Sequence, residues 1–210
     1  MIESEKITGL ISAPFTPMNE DGSVNVDRIK EYADFTANLK IVKGVFICGT
    51  TGESASLTTE ERKAVAAAWT KHADGRFKVI VHVGGTSLEQ SKELAAHAME
   101  CGAYAIGAIA PFFFKPERVE DLVSYFKPIA AAAGKIPFYY YNMPSISGVS
   151  LSVVEFLKQG SKEIPTLRGV KFTHNNLMEM NQCIHLNNGQ FDILHGFDEI
   201  LITGVALGVK

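Results

Sequence analysis

The sequence predicts an α/β protein folded as a (β/α)8 barrel, and two observations lead there. Short apolar runs of strand length alternate with helical patterns along the chain, and the turn after the first run carries no glycine-rich phosphate loop. The runs are LISAPFTP from Leu10, KGVFICG ending at Gly49, FKVIVHVGG ending near Gly84, AYAIGAIAP from Ala103, IPFYYYN from Ile136, LRGVKFT from Leu167 and FDILHG from Phe191. They are apolar throughout rather than alternating. That is the pattern of strands covered by helices on one face and by a packed interior on the other.

Between the runs lie helix signals. Val26, Ile29 and Ala33 share one face of the first helix. Thr58 precedes Glu61, and Ser87 precedes Gln90, at the capping-box spacing. Pro116 suits the first turn of a helix carrying Val119, Leu122, Val123 and Phe126, and Asp198 suits the cap of a last helix running into Leu201 and Ile202. Successive βα units fit either a doubly wound open sheet or a barrel. The first turn, APFTPMNEDGS, has two prolines and no GxGxxG, which favours the barrel. Seven strands are legible where a closed barrel of this kind has eight, so an eighth is expected beyond Lys210.

Composition narrows the function. Of 210 residues, 46% are hydrophobic and 20% charged, enough to bury a core without disulfides or a structural metal. The net charge of −3 is interspersed, so neither a nucleic-acid partner nor a membrane surface is expected, and an anionic substrate must be met by local groups. Cys48, Cys101 and Cys183 are odd in number and widely spaced, which points to buried thiols in a reduced, cytoplasmic compartment. The N-terminus has no apolar stretch of signal-peptide length, and no run is long enough to cross a membrane.

A barrel carries its chemistry at the carboxyl ends of its strands. Lys171, in GVKFT, stands inside an apolar strand. There it either snorkels out to solvent or loses its proton and becomes a nucleophilic amine. Gly49-Thr50-Thr51-Gly52-Glu53 follows the second strand. It is either a plain capped turn or a cradle in which two hydroxyls and nearby N–H groups hold a carboxylate. In the fifth strand, alternation sends Tyr139 and Tyr141 to one face and Tyr140 to the other. A tyrosine in a barrel mouth can move a proton, whereas the same residue in a core only packs. None of the six histidines has metal-ligand spacing; His82 and His195 read as structural, and no metal is expected.

GTTGE, YYYNMPSISG and GVKFT, in that order at three strand ends, resemble the dihydrodipicolinate synthase / N-acetylneuraminate lyase family over essentially the whole chain. The resemblance implies the (β/α)8 barrel. It implies Lys171 as the Schiff-base lysine, Tyr141 as the proton-transfer tyrosine, and Thr50 and Thr51 as binders of a pyruvate carboxylate, with no cofactor. It further implies a homotetramer. By the same likeness, residues 1–210 form a single barrel domain truncated at its C-terminal end, lacking the eighth strand and the C-terminal helices.

Within the family, two departures argue against the synthase branch. Ile146 stands where the synthases carry an arginine for their second substrate, and Phe113 stands where they carry a tyrosine that reaches a neighbouring subunit. HVGG at His82 to Gly85 and the run Gly196-Phe197-Asp198-Glu199 are similar to the lyase branch, while Thr50 is the commoner synthase residue. The likeness to lyases implies that Thr173, Gly196, Asp198 and Glu199 bind a sugar chain. The reaction it implies is the reversible cleavage of N-acetylneuraminate to N-acetylmannosamine and pyruvate. The alternatives are an aldolase acting on a 2-keto-3-deoxy sugar acid, a 4-hydroxy-tetrahydrodipicolinate synthase, and a non-catalytic binding protein on the same barrel.

Overall fold

The computed structural model describes residues 6–210, in which seven parallel strands pair in sequence order. The strands are β1 (Leu10–Ser12), β2 (Val42–Ile47), β3 (Lys78–His82), β4 (Ala105–Ile109), β5 (Phe138–Asn142), β6 (Leu167–Phe172) and β7 (Asp192–His195). Helices connect them: α1 (Arg28–Asn38), α2 (Thr59–Ala73), α3 (Leu88–Glu100), α4 (Val119–Ala132), a single turn α5 (Pro144–Ser147), α6 (Val153–Glu163), α7 (Leu177–His185) and α8 (Leu201–Ala206). Strand pairing in order with a helix in each crossover is barrel winding. A doubly wound sheet would reverse its order at a switch point.

The sheet curls until its two edge strands approach at the amino-terminal end. There the Ile7 N–H donates to the Asp192 carboxylate at 3.1 Å, and Lys6 donates to the Phe191 carbonyl at 2.9 Å. Alternation along each strand then builds two cores. Val45, Ile47, Val79, Val81, Ile106, Ala108, Phe138, Tyr140, Val170 and Phe172 face the helices. Phe46, Ile80, Ala105, Ile109, Tyr139 and Tyr141 fill the interior of the curl. The outer core has an aromatic hub: the Phe126 ring on α4 lies 5.3 Å from both Phe138 and Tyr140 and 5.8 Å from Phe156 on α6. Gly169 faces inward, where a Cβ would stand 1.8 Å from the Asp192 carbonyl oxygen, so only glycine lets β6 and β7 approach there.

The helix signals hold with four amendments. Thr58 and Glu61 form both halves of a capping box, whereas Ser87 supplies a cap to the Gln90 N–H. Val26 packs beside α1 but lies outside it, since the helix begins at Arg28. Pro116 also lies outside its helix, because α4 begins at Val119 after an extended Arg118. Asp198 caps nothing: it opens a 3-10 turn, Asp198–Ile200, that leads into α8 and leaves its carboxylate free for other partners. β1 keeps only three residues of the long apolar run, with a register slip between Leu10 and Ile11. No helix among the described residues is long and apolar enough to cross a membrane.

Candidate active site

The carboxyl ends of β2, β5, β6 and β7 converge on one mouth. β6 sends Lys171 inward with Gly169, and its Nζ lies 4.0 Å from the centre of the Phe46 ring and 4.2 Å from that of Tyr141. Burial pulls the ammonium pKa down to about 8, against an opposing pull from the Asp198 carboxylate. About a tenth of such lysines are free amines at pH 7, against roughly one in three thousand for a solvated lysine. The strand therefore holds the amine inside the curl, over two rings, rather than letting it snorkel out to solvent. Gly196, just after β7, leaves room for it: a Cβ there would come within 2.3 Å of the Thr173 hydroxyl and 3.0 Å of Lys171 Cε.

Tyr141 lies 3% exposed, its hydroxyl 3.2 Å from Thr50 Oγ1 and 3.0 Å from the Met143 sulfur. Burial raises its pKa, so the group is a phenol at neutral pH and can donate a proton or relay one. The turn carrying Thr50 is closed by the Glu53 N–H to the Thr50 carbonyl at 3.0 Å and the Ser54 N–H to the Gly49 carbonyl at 3.2 Å. Those bonds leave the Thr50 and Thr51 N–H groups out of the turn's own closure. Thr16, from the loop after β1, ties the turn down by donating to the Gly52 carbonyl at 2.7 Å. Thr51 stands exposed beside Thr50 on the solvent side.

The remaining predicted residues meet in an adjoining cleft of about 540 Å³ lined by Met143, Thr173, Gly196, Asp198 and Glu199. Thr173 is placed by its own N–H, which donates to the Asn142 carbonyl at 2.8 Å, and its hydroxyl is buried on the side of the Tyr141 phenol. Met143 joins cleft and mouth, since its sulfur touches both Tyr141 and Thr50. Sequence reasoning gave no role to Met143, although it lies within YYYNMPSISG, nor to Ser150, His174 and Asn175 of the cleft wall, because no chemistry marks them one residue at a time. A second depression, of about 550 Å³, lies at the opposite end, near Lys6, Lys43, Arg76 and Lys78. Its cations are already engaged: Lys43 with the Lys40 carbonyl at 2.8 Å, Arg76 with Asp34 at 2.9 Å, and Lys78 over the Tyr104 ring at 4.6 Å.

A buried lysine, a tyrosine bonded to a threonine and a polar cleft thus share one barrel mouth. The profile of the Dihydrodipicolinate synthetase family matches residues 6–210. The chain belongs to that family. It is 44% identical to an N-acetylneuraminate lyase of Xenopus tropicalis over 97% of its own length and 67% of the relative's. Among solved structures it superimposes on the N-acetylneuraminate lyase (sialic acid aldolase) of Aliivibrio salmonicida with a TM-score of 0.95 at 43% identity, covering 99% of this chain and 68% of that one. Against a dihydrodipicolinate synthase of Aquifex aeolicus the TM-score is 0.90 but identity falls to 31%, over 97% and 68% of the two chains. The fold is shared across the family, and sequence identity leans to the lyases, in accord with Ile146 and Phe113.

Proposed function

We propose that this protein is a Schiff-base aldolase, a carbon–carbon lyase that reversibly cleaves N-acetylneuraminate to N-acetylmannosamine and pyruvate. The observation that carries the reading is the Lys171 amine, its pKa lowered to about 8, set between the Tyr141–Thr50 pair and the polar cleft. The lyase relatives support the choice of sugar acid, and so does Ile146, 57% exposed on α5, which offers no cation for a second carboxylate.

In this mechanism Thr50 and Thr51 hold the substrate carboxylate, and neutral Lys171 attacks the C2 ketone of the open-chain sugar acid. Loss of water gives an imine whose protonated form accepts the electron pair of the C3–C4 bond as it breaks. The C4 hydroxyl proton leaves through the Tyr141 oxygen towards the substrate carboxylate. N-Acetylmannosamine departs from the cleft, where Asp198, Glu199 and Thr173 had bonded its hydroxyls beside Gly196. Protonation of the enamine at C3 and hydrolysis then release pyruvate and Lys171. Every step uses groups of the chain itself, and no cofactor or metal enters. The free state of Cys48, Cys101 and Cys183 supports a cytoplasmic location. Phe113 and Phe114, 74% and 85% exposed on the rim loop after β4, support contact with another copy of the chain, the homotetramer itself being what the family likeness implies.

Pyruvate release from N-acetylneuraminate, from 2-keto-3-deoxygluconate and from no substrate, together with condensation of pyruvate with aspartate semialdehyde, tests the reading. N-Acetylneuraminate is expected to be cleaved fastest, with no useful condensation. Faster cleavage of the deoxygluconate or efficient condensation would assign another branch, and absence of both cleavages and of the condensation would make the barrel a binding protein.

A further inference from the structure

His82, at the carboxyl end of β3, is 4% exposed and points into the mouth, yet no step above uses it. Its ring nitrogens are both engaged. Nε2 lies 3.2 Å from the Ile109 backbone N–H, which can only donate, so Nε2 is the acceptor and carries no proton. The ring's proton is therefore on Nδ1, which lies 2.8 Å from the Cys48 carbonyl and 3.4 Å from Ser54 Oγ. The backbone settles the tautomer.

The atom that His82 holds is an unusual one. Cys48 has φ of 52°, a left-handed conformation that side chains other than glycine adopt only where the surroundings impose it. Its carbonyl belongs to the peptide that leads into Gly49 and Thr50. Rotation of that peptide would swing the whole Gly49–Gly52 turn relative to Tyr141. The same imidazole stands edge-on to the Tyr141 ring, with centroids 5.6 Å apart and planes at 87°, and lies 5.9 Å from the Phe46 ring over which the Lys171 amine sits. The neighbourhood is built to keep it in place. Arg62 on α2 donates to the His82 and Gly84 carbonyls at 2.9 and 3.1 Å, fixing the strand end. Gly84 leaves the Nε2 side open, since a Cβ there would stand 2.6 Å from the Ile109 nitrogen and 3.0 Å from Nε2.

We propose that His82, held as its neutral Nδ1–H tautomer, is a positioning residue that fixes the Cys48–Gly49 peptide and so sets the Thr50–Thr51 cradle against the Tyr141 hydroxyl. The proposal rests on the reading above in which that cradle takes the pyruvate carboxylate. The groups facing the ring suit it: burial, the Arg62 guanidinium and the Lys171 amine all disfavour an imidazolium, against the bond to the Cys48 carbonyl. An imidazolium would also aim an N–H at the Ile109 N–H.

The test is capture of pyruvate on Lys171 by borohydride, followed by peptide mass against pyruvate concentration. For His82→Leu, half-saturation is expected to rise by roughly tenfold or more while labelling at saturating pyruvate stays near wild type, the mark of a misplaced cradle. His82→Asn, whose amide nitrogen stands near the place of Nδ1, is expected to recover most of that loss, and His82→Gln, which reaches instead towards Ile109, little of it. Wild-type half-saturation in His82→Leu and His82→Asn alike would overturn the proposal, as would Gln rescuing better than Asn. If the leucine variant does not fold, the asparagine variant and the intact enzyme still decide. Imidazole ¹⁵N shifts should report an unchanging Nδ1–H tautomer between pH 5 and 9, and an Nε2–H tautomer or a titration in that range would refute it. Absence of any label on Lys171 in the wild-type protein would instead refute the aldolase reading itself, so the two failures are distinct.

Discussion

Tyr139 and Tyr141 sit two residues apart on one strand and face the same interior, yet their surroundings give them opposite tasks. Tyr139, at the floor, is 0% exposed and donates to the Asp192 carboxylate at 2.9 Å, and the same carboxylate oxygen accepts the Ile7 N–H at 3.1 Å. Burial and the Asp192 charge push its phenol pKa far up, so it stays a donor. Tyr141, at the mouth, meets a threonine hydroxyl, a thioether and a lysine amine. At the floor, polar groups satisfy one another and hold the edges of the curl together. At the mouth, in the proposed reaction, they keep donors and acceptors to offer a substrate. The same barrel interior is a staple at one end and a reagent at the other.

The largest expected effect follows from removing the reagent. Lys171→Met should abolish borohydride capture of pyruvate at this position and lower cleavage by at least about a thousandfold, since it removes the buried amine that the proposed imine needs. The same substitution should stabilise the fold. The folded pKa, about 8, lies below the ordinary lysine value of 10.5, so below pH 8 the native state holds a buried ammonium that unfolding would relieve. Stability of the parent should then rise with pH between these two values. Lys171→Met should flatten that rise and gain roughly 1–3 kcal/mol at pH 7. Urea unfolding of both proteins at pH 7 and 10 measures it. A variant no more stable than its parent would mean that the lysine reaches solvent after all.

Next comes the tyrosine pair itself. Tyr141→Phe should lower cleavage by about 10²–10⁴-fold, with unfolding nearly unchanged. Tyr139→Phe should leave cleavage within severalfold of the parent but cost about 1–3 kcal/mol, because Asp192 loses a buried donor. Activity and urea unfolding of the two variants check the contrast directly. Equal losses of activity would erase the distinction between floor and mouth.

How much of this was legible follows the same division. The outer core could be read because apolar strands and capped helices announce themselves one residue at a time, as Thr58 and Glu61 do. Alternation put Tyr139 and Tyr141 on one face, and strand chemistry singled out Lys171. Three contributions were invisible. Asp192 reads as an ordinary strand-end acid until β7 is placed beside Ile7, 185 residues earlier in the chain. Gly196 was read as part of a sugar-binding run, whereas the structure also gives it a steric reason beside Lys171. His82 reads as structural and its ring is indeed buried and bonded, but its partners, Cys48 and Ser54 of one turn and Ile109 of β4, are segments that only folding brings together. Asp198 misled in the opposite direction: an acid before an apolar helix looks like a cap, but an intervening 3-10 turn frees it for the cleft.

A smaller effect should divide the mouth itself. Asp198→Ala and Glu199→Ala line the cleft and stand away from the pyruvate end, so each should weaken sialic acid cleavage by roughly tenfold to a hundredfold. At pH 9, where the Lys171 amine is largely free in parent and variants alike, half-saturation for pyruvate capture should change little. Parallel assays of cleavage and capture separate the two ends, and capture falling with cleavage would show that the cleft acids also hold the pyruvate unit.

The smallest expected effect is also the most discriminating, because its sign differs between two steps of one reaction. Asp198 is the carboxylate that holds the Lys171 pKa up against burial. Replacing it by asparagine keeps the shape of the cleft and removes that charge, so the Lys171 pKa should fall below about 8. Capture of pyruvate depends on the free amine, so its rate rises with pH to a plateau set by that pKa. In Asp198→Asn the rising limb should move to lower pH. At pH 6.5 the variant should be captured roughly twofold to tenfold faster than the parent, with the same plateau above pH 9. Overall cleavage of N-acetylneuraminate should move the other way, because the sugar chain loses an acceptor for its hydroxyls. Salt is a further control: a Coulomb interaction partly open to the cleft weakens as ionic strength rises, so the gap between parent and variant should narrow in 1 M salt. A limb that stays in place would mean that Asp198 acts on the sugar alone. A limb displaced to higher pH would mean that its charge had been shielding Lys171 from another group, and the electrostatic picture of the mouth would have to be redrawn.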